Sequence, residues 1–289
     1  MTTDAFRLYQ PATRSTGVVF ASPHSGRNYP EALLRRSALD LRRLRSSEDA
    51  FVDDLFAAAP DAGAPLLAAN WPRAWVDLNR SIDELDHALI EGQPRGGLNP
   101  RIASGLGVIP RVVANGQAIY RGKISRSEAL ERLRLVWQPY HARLGALIEE
   151  SRRQFGIAVL VDCHSMPHEA IDGYAPRGGR PPEVVLGDRF GAAADAAIVD
   201  RIEAILSDAG LRVARNTPFA GAYVAQQYGR PSRGQHVIQL ELDRALYMDE
   251  ARVVTRPDYD AFKRLMRQVT AQIADIGRPR VSDAPLAAE

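Results

Sequence analysis

Residues 156–167 read Gly-Ile-Ala-Val-Leu-Val-Asp-Cys-His-Ser-Met-Pro, an unbroken apolar run that ends in polar side chains. Such a run is typical of a strand that is buried on both faces of a mostly parallel sheet. In open α/β sheets, ligands bind beyond the carboxyl ends of the strands. The segment therefore predicts a central strand that presents Asp162, Cys163, His164 and Ser165 at a functional edge.

The patterns on either side of this strand predict an α/β fold. Strand patterns at residues 16–22, 64–69, 74–80, 183–188, 211–214 and 236–243 alternate with helical patterns, the longest at residues 127–154. This alternation favours a single three-layer domain, residues 1–289, with a central mostly parallel or mixed sheet flanked by helices. We expect Pro139 to kink or split the long helix, because proline removes a helical hydrogen bond.

Two segments depart from this alternation. Residues 81–122 show no periodicity and are interrupted by glycine and proline, so we expect a long loop that forms a wall or lid over the site. Residues 277–289 contain Pro279, Pro285 and many small residues, and we expect a frayed tail there.

Composition excludes several classes of function. The formal net charge of +2 over 289 residues does not indicate a nucleic-acid partner or an anionic membrane. One cysteine, Cys163, excludes a disulfide framework, and no apolar run approaches the ~20 residues of a membrane-spanning helix. The first residues lack a signal-peptide pattern. We expect a cytoplasmic protein; the sequence does not indicate its oligomeric state.

Three polar positions suggest a metal site. His24 and His164 each follow an apolar strand, and Glu48 and Asp49 come where Ser46 and the following residues predict the start of a helix. Imidazole and carboxylate groups are common zinc ligands, and a catalytic zinc uses three of them. Each histidine could instead be a hydrogen-bonded residue at a strand end, but two on separate strands favour a metal.

Glu241 is a carboxylate inside an apolar strand, which is costly unless the group is paired or functional. Gln239, Glu241 and Asp243 share one face of that strand, so the face is predicted to line a cavity. Glu241 is then a candidate general base for a water activated by a metal. The alternative is a solvated face on an edge strand.

Two further groups have weaker support. Asn79 and Arg80 follow the predicted strand at 74–80, and an arginine can bind a carboxylate with two parallel hydrogen bonds. Taken alone, the pair is more often a surface feature. Cys163 neighbours His164, but adjacent strand residues point to opposite faces, so we interpret Cys163 as a core residue and not a nucleophile.

Taken together, these residues resemble the N-formylglutamate amidohydrolase family. The matching motifs follow the order of the family from near residue 20 to near residue 250. They are Ser22-Pro23-His24-Ser25-Gly26, Glu48-Asp49, Val76-Asp77-Leu78-Asn79-Arg80, Asp162-Cys163-His164-Ser165-Met166, Gly221-Ala222-Tyr223 with Tyr228-Gly229-Arg230-Pro231, and Gln239-Leu240-Glu241-Leu242.

The resemblance implies a fold like that of the carboxypeptidase A-like zinc hydrolases, one zinc ion per chain, and hydrolysis of N-formyl-L-glutamate to L-glutamate and formate in histidine degradation. It implies a role for each matching position. His24, Asp49 and His164 would bind the metal, with Glu48 as the alternate acidic ligand, Glu241 would be the general base, and Asn79, Arg80, Tyr223 and Arg230 would bind substrate.

One departure leaves the substrate open. Where the family pattern has Thr-Arg, this chain has Ala225-Gln226, so a charge-assisted contact worth about 1.5–3 kcal/mol to a second carboxylate is missing. Arg230 or Arg177 could replace it. The alternatives are a zinc carboxypeptidase, a deacylase of other N-acyl amino acids, or a non-catalytic protein that uses Arg80 to bind an anion.

Overall fold

Seven strands form one sheet in the computed structural model, which describes residues 4–97, 99–113, 116–175 and 179–279. In chain order they are β1 Phe6–Tyr9, β2 Val18–Ser22, β3 Leu66–Ala69, β4 Ala158–Met166, β5 Val184–Gly187, β6 Val213–Arg215 and β7 Gln235–Asp243. Their spatial order is β1-β3-β2-β4-β7-β5-β6. Strands β3, β2, β4 and β7 are mutually parallel, whereas β1 and β5 run antiparallel to β3 and β7. The carboxyl ends of the four central strands therefore lie at one edge.

The pair formed by β4 and β7 is the centre of the sheet. The two strands pair residue for residue, from Ala158 opposite Gln235 to Met166 opposite Asp243, and His164 lies opposite Glu241. Every residue of β4 is buried. The predicted central strand is thus confirmed, and β7, which has neighbours on both sides, is not an edge strand.

Helices cover both faces of the sheet. They are α1 Glu31–Arg36, α2 Leu41–Leu44, α3 Val52–Leu55, α4 Pro100–Ala103, α5 Arg126–Arg132, α6 Gln138–Phe155, α7 Ala196–Asp208, α8 Tyr223–Tyr228 and α9 Tyr259–Ala274. Residues of α3, α7 and α9 share one buried apolar cluster, and residues of α1, α2, α5, α6 and α8 share another. A two-stranded sheet, β8 Met248–Asp249 with β9 Val254–Thr255, follows β7.

Successive residues of β4 contribute to opposite clusters. Val159 and Val161 pack with α3, α7 and α9, whereas Ala158 and Leu160 pack with α5 and α6. A strand covered on both faces must be apolar at every position, which is the physical reason for the unbroken run. The predicted α/β fold, with a mostly parallel central sheet between helices, is confirmed.

The prediction of a strand at residues 74–80 is wrong. The segment forms turns, in one of which Trp75 N donates to Pro72 O, and Asp77 N donates to the carbonyl of Val108 in a distant loop. Its alternating pattern arises because Val76 and Leu78 point into a buried cluster, although the backbone joins no sheet.

The structure corrects one prediction about helices and agrees with another. The helix predicted to start at residues 46–49 begins later, at Val52, so Glu48 and Asp49 precede it. Pro139 does interrupt the long helix, since a π-helical turn, Leu133–Trp137, separates α5 from α6 directly before it. Such single π turns are frequent at functional sites.

The described part of residues 81–122 contains α4 and otherwise irregular backbone. Leu89, Ile90, Val108 and Ile109 are buried in the same cluster as α6, so this segment is packed against the domain. The predicted tail falls largely on residues 280–289, outside the described residues. No described helix is both long enough and apolar enough to cross a bilayer.

Candidate active site

A cavity of about 580 Å³ opens at the carboxyl edge of the sheet. His24 follows β2, His164 lies near the end of β4, and Glu241 lies near the end of β7, and all three line the cavity. Residues within 101–113, together with Gly116 and the segment 218–222, line it from the side. The topology thus brings together groups that are far apart in the chain.

His24, Asp49 and His164 form one buried group, in which one nitrogen or oxygen atom from each lies within 4.8 Å of the others. Asp49 Oδ2 is 3.0 Å from His164 Nδ1 and 3.5 Å from His24 Nδ1. The backbone reinforces this geometry, because Asp49 N donates to His24 O. The turn after His24 needs Gly26, since a Cβ there would lie 2.0 Å from the carbonyl oxygen of Trp71.

Glu48, the alternate acidic ligand, does not belong to this group. Its carboxylate accepts two hydrogen bonds from Arg45, both of 2.9 Å, and one of 2.9 Å from the hydroxyl of Tyr29. The geometry therefore favours Asp49.

Each histidine of the group has a carboxylate at its other ring nitrogen. His24 Nε2 is 2.7 Å from Asp77 Oδ1, and His164 Nε2 is 3.0 Å from Asp162 Oδ2. Asp77 also pairs with Arg73 at 2.9 Å. Burial raises the pKa of Asp77, but Arg73 and His24 outweigh it and hold the pKa well below the usual range. An ionised Asp77 only accepts, so Nε2 of His24 carries the hydrogen and its Nδ1 is left as a lone pair when the ring is neutral.

The group fits a metal ion. His24 Nδ1 is buried and has no hydrogen-bond partner among the described residues, and both Nδ1 atoms face the same oxygen of Asp49. Burial raises the pKa of Asp49, but the hydrogen bond to His164 and the proximity of both histidines hold it well below its ordinary value, so it is ionised. Two imidazoles and a carboxylate, with carboxylates behind the imidazoles, are the donor set and surroundings of protein zinc sites.

The second oxygen of Asp49 is fixed from behind. Asp49 Oδ1 accepts hydrogen bonds of 3.2 Å from Ser165 Oγ and Arg244 Nη2, and Arg244 Nε also donates to Ser165 Oγ. Sequence reasoning did not assign Asp77 or Arg244. The signal for Asp77 was a carboxylate between Val76 and Leu78, both apolar.

Glu241 is buried beside this group. Gln239 Nε2 donates to Glu241 Oε1 at 2.8 Å, and Gln239 Oε1 accepts from Ala222 N and Asn79 Nδ2. Burial raises the pKa of Glu241 to about 7, with His164 lowering it and Asp49 raising it. Such a carboxyl can both accept and return a proton near neutral pH.

The segment that carries Asn79 and Arg80 is held by side chains from the long helix. Trp137 Nε1 donates to the carbonyl of Arg80 at 3.0 Å, and His141 Nε2 is 2.9 Å from the carbonyl of Leu78. The amide of Asn79 is turned toward protein groups, since Oδ1 accepts from the backbone of α8 and Nδ2 faces Gln239 and the pair of His164 with Asp162.

Other residues singled out by the sequence lie elsewhere. Tyr223 packs against Trp137 and is not part of the cavity lining. Arg230 donates to the carbonyls of Gln226 and Gly229, also outside the lining. Arg177 is outside the described residues.

Cys163 is a buried core residue, as its place on the strand predicts. Burial, and then the charge of Asp162, raises the pKa of its thiol well above the ordinary value. A thiol in that state is a poor nucleophile.

Sequence comparison with known proteins finds a matching family and related proteins. Residues 16–248 match the family described as N-formylglutamate amidohydrolase. A protein named N-formylglutamate deformylase from Pseudomonas aeruginosa is 30% identical over 272 residues, which cover 91% of this chain and 94% of the relative. One of the same name from Pseudomonas putida is 28% identical over 265 residues, with 88% and 92% covered.

Solved structures share the fold. The crystal structure of N-formylglutamate amidohydrolase from Ralstonia eutropha JMP134 has a TM-score of 0.87 and 34% identity, and the match covers 94% of this chain and 98% of that one. A gene product of Agrobacterium tumefaciens, at 17% identity, has the same fold with a TM-score of 0.64 over 95% of this chain and 96% of that one.

Proposed function

The chain belongs to the N-formylglutamate amidohydrolase family, and on that premise we propose that it hydrolyses the formyl amide of N-formyl-L-glutamate to L-glutamate and formate, with one zinc ion per chain. The observation that carries the proposal is the convergence of His24, Asp49 and His164 beside Glu241 in one cavity.

The metal ligands in this proposal are Nδ1 of His24, Nδ1 of His164 and a carboxylate oxygen of Asp49. A zinc ion held there supplies a Lewis acid that polarises an amide carbonyl and raises the acidity of water. Asp77 and Asp162 hold the two imidazole rings in orientation, and Arg244 with Ser165 holds the carboxylate.

Glu241 acts as the general base and then as the general acid. Its Oε1 is held by Gln239, and no described residue hydrogen-bonds its Oε2. In the ionised form Glu241 accepts a proton from the attacking water, and it then delivers that proton to the departing amine nitrogen. A pKa of about 7 suits both transfers at neutral pH.

Arg80 binds the α-carboxylate of the substrate. Its Nε and Nη1 donate to the carbonyls of Leu106 and Asn79, so the guanidinium is held in place, and no described residue accepts from Nη2. Asn79 is a positioning residue in this proposal, because its amide groups are used by the protein. A fixed carboxylate makes attack on the formyl carbon effectively intramolecular.

A hydrolysis assay tests this function. The purified protein, loaded with zinc, should release formate from N-formyl-L-glutamate, chelation should abolish release, and added zinc should restore it. N-acetyl-L-glutamate and a peptide ending in glutamate are compared at the same concentration. Faster cleavage of either would assign the site to a deacylase or a carboxypeptidase, and tight binding of N-formyl-L-glutamate without formate release would assign it to anion binding.

A further inference from the structure

Four arginine side chains line the cavity: Arg73, Arg80, Arg101 and Arg244. Two of them are neutralised by carboxylates of the site. Arg73 pairs with Asp77 at 2.9 Å, and Arg244 pairs with Asp49 at 3.2 Å. Their charges serve to hold protein groups and are not available to a substrate anion.

The other two cations have little or no neutralisation. Arg80 Nε is 4.0 Å from Asp77 Oδ2, an oxygen that already pairs with Arg73. The guanidinium of Arg101 has neither an ion pair nor a hydrogen bond with any residue that the structure describes. Burial lowers the pKa of Arg80; Asp77 raises it, but the positive charges of Arg73 and Arg101 lower it further. Two cations that line one cavity and are little neutralised by acidic groups form a site for anionic groups.

One residue connects the two cations. Leu106 N donates to the carbonyl of Arg101 at 2.8 Å, and Leu106 O accepts from Arg80 Nε at 3.0 Å. The helical turn that carries Arg101 is capped by Asn99, whose side chain accepts from Arg101 N and Ile102 N. The backbone of Arg101 and the side chain of Arg80 are therefore held at a fixed separation.

We propose that Arg101 is a specificity-determining residue that binds the side-chain carboxylate of a dicarboxylic N-formyl amino acid, while Arg80 binds its α-carboxylate. The inference rests on the proposed function and adds which residue selects an acidic side chain. An arginine can bind a carboxylate through two parallel hydrogen bonds. A neutral side-chain amide of the same shape on the substrate cannot accept both of them.

Among the described residues, the positions at which the sequence suggested a second cation do not supply it; Arg177 lies outside those residues. Ala225 is buried, and Gln226 accepts a hydrogen bond from Arg189. Arg230 is bonded to backbone carbonyls outside the cavity lining. Arg101, from the segment between Gly97 and Gly105, takes this role in our proposal.

The test compares two substrates of nearly identical shape, N-formyl-L-glutamate and N-formyl-L-glutamine, on the zinc-loaded enzyme. In Arg101→Gln, kcat/KM for N-formyl-L-glutamate should fall by roughly 10- to 100-fold, as expected for a lost charge-assisted contact. The value for N-formyl-L-glutamine should change by less than about threefold, which also shows that the variant is folded. Arg101→Lys should lie between wild type and Arg101→Gln, because it keeps the charge without the planar geometry.

The control is Arg121→Gln, which removes the same charge from an exposed residue outside the cavity lining and should leave both values unchanged. If Arg101→Gln weakens both substrates equally, or if wild type does not prefer the glutamate derivative, the role of Arg101 is overturned while the hydrolase function stands. If wild type hydrolyses neither substrate, the proposed function fails, and this inference fails with it.

Discussion

Asp162 and His164 lie two residues apart on β4, and their side chains meet on one face of the strand with 3.0 Å between Asp162 Oδ2 and His164 Nε2. The period of the strand therefore supplies both a candidate metal ligand and the carboxylate that orients it. Asp77 serves His24 in the same way from a distant loop.

Asp162→Asn should weaken zinc binding by about 10- to 100-fold. An amide holds the imidazole of His164 less firmly than a carboxylate does, and the imidazole then becomes a weaker metal ligand. Competition with a chromogenic chelator measures the affinity. Asp53→Asn is the control, since Asp53 is also buried but pairs with Arg7 and Arg27 and does not line the cavity. Equal affinities in wild type and Asp162→Asn would remove Asp162 from the metal site.

Asp49 and Glu48 give a direct test of which acid binds the metal. Asp49→Asn should abolish stoichiometric zinc, because it removes the only carboxylate in the group formed with His24 and His164. Glu48→Gln should retain about one zinc per chain, since Glu48 is bonded to Arg45 and Tyr29. Metal analysis of the purified variants decides, and the reverse result would exchange the two roles.

Glu241→Gln should keep zinc and lose turnover by about 10²- to 10⁴-fold, the usual contribution of a general base. The amide oxygen can still accept from Gln239, so the side chain should stay in place. Formate release and zinc content are measured on the same sample. Turnover near the wild-type rate would exclude Glu241 from proton transfer.

Trp137→Phe should raise KM about fivefold with a smaller effect on kcat, because the carbonyl of Arg80 loses a hydrogen bond worth about 1 kcal/mol. Trp71→Phe is a matched control, since the Nε1 of Trp71 is buried without a partner among the described residues. Steady-state kinetics should separate the two variants. Identical KM values would show that Trp137 does not position Arg80.

His141 should make stability fall in mild acid. Burial lowers its pKa to about 4, against about 6.5 in an unfolded chain, so the unfolded state takes up this proton first as the pH drops. The free energy of unfolding therefore falls by about 2 kcal/mol between pH 7 and pH 5, and this decrease levels off below pH 4. Urea unfolding of metal-stripped protein at both pH values should show that His141→Gln lacks this loss.

His168 should act in the opposite direction. A hydrogen bond to Asp243, followed by the charge of that carboxylate, raises the pKa of His168. The stabilisation it provides is therefore full below the unfolded pKa and is lost as the pH rises. The substitution His168→Gln should therefore lower the free energy of unfolding more at pH 5 than at pH 7. If His141→Gln and His168→Gln change alike, neither assignment holds.

The sequence predicted those parts of the molecule whose signal is local. An apolar run followed by His164 identifies a buried strand with a polar end, and Glu241 inside a similar run indicates a strand whose face lines a cavity. The segment at 74–80 misled because a loop packed against the core can show the same alternation as a strand. Hydropathy records burial and does not record where backbone hydrogen bonds go.

Other features depend on contacts that no local pattern contains. Glu48 and Asp49 are adjacent acids, and their roles differ because the side chains of Arg45 and Tyr29 donate hydrogen bonds to the carboxylate of Glu48. Arg101 lies in a segment without periodicity, and it becomes notable only when Leu106 connects it to Arg80. Such residues are identified by their partners in space.

The pairing of β4 with β7 also has a consequence for how the protein folds. Val159 pairs with Val18 on one side and with His236 on the other, so the central sheet is built from contacts between distant parts of the chain. Contacts of this kind form slowly, because a long loop must close before any pairing stabilises it. We expect helices such as α6 to form early and the central strands to pair late. His24, Asp49 and His164 would then come together only near the end of folding, so zinc would stabilise the finished protein and would not guide its early steps.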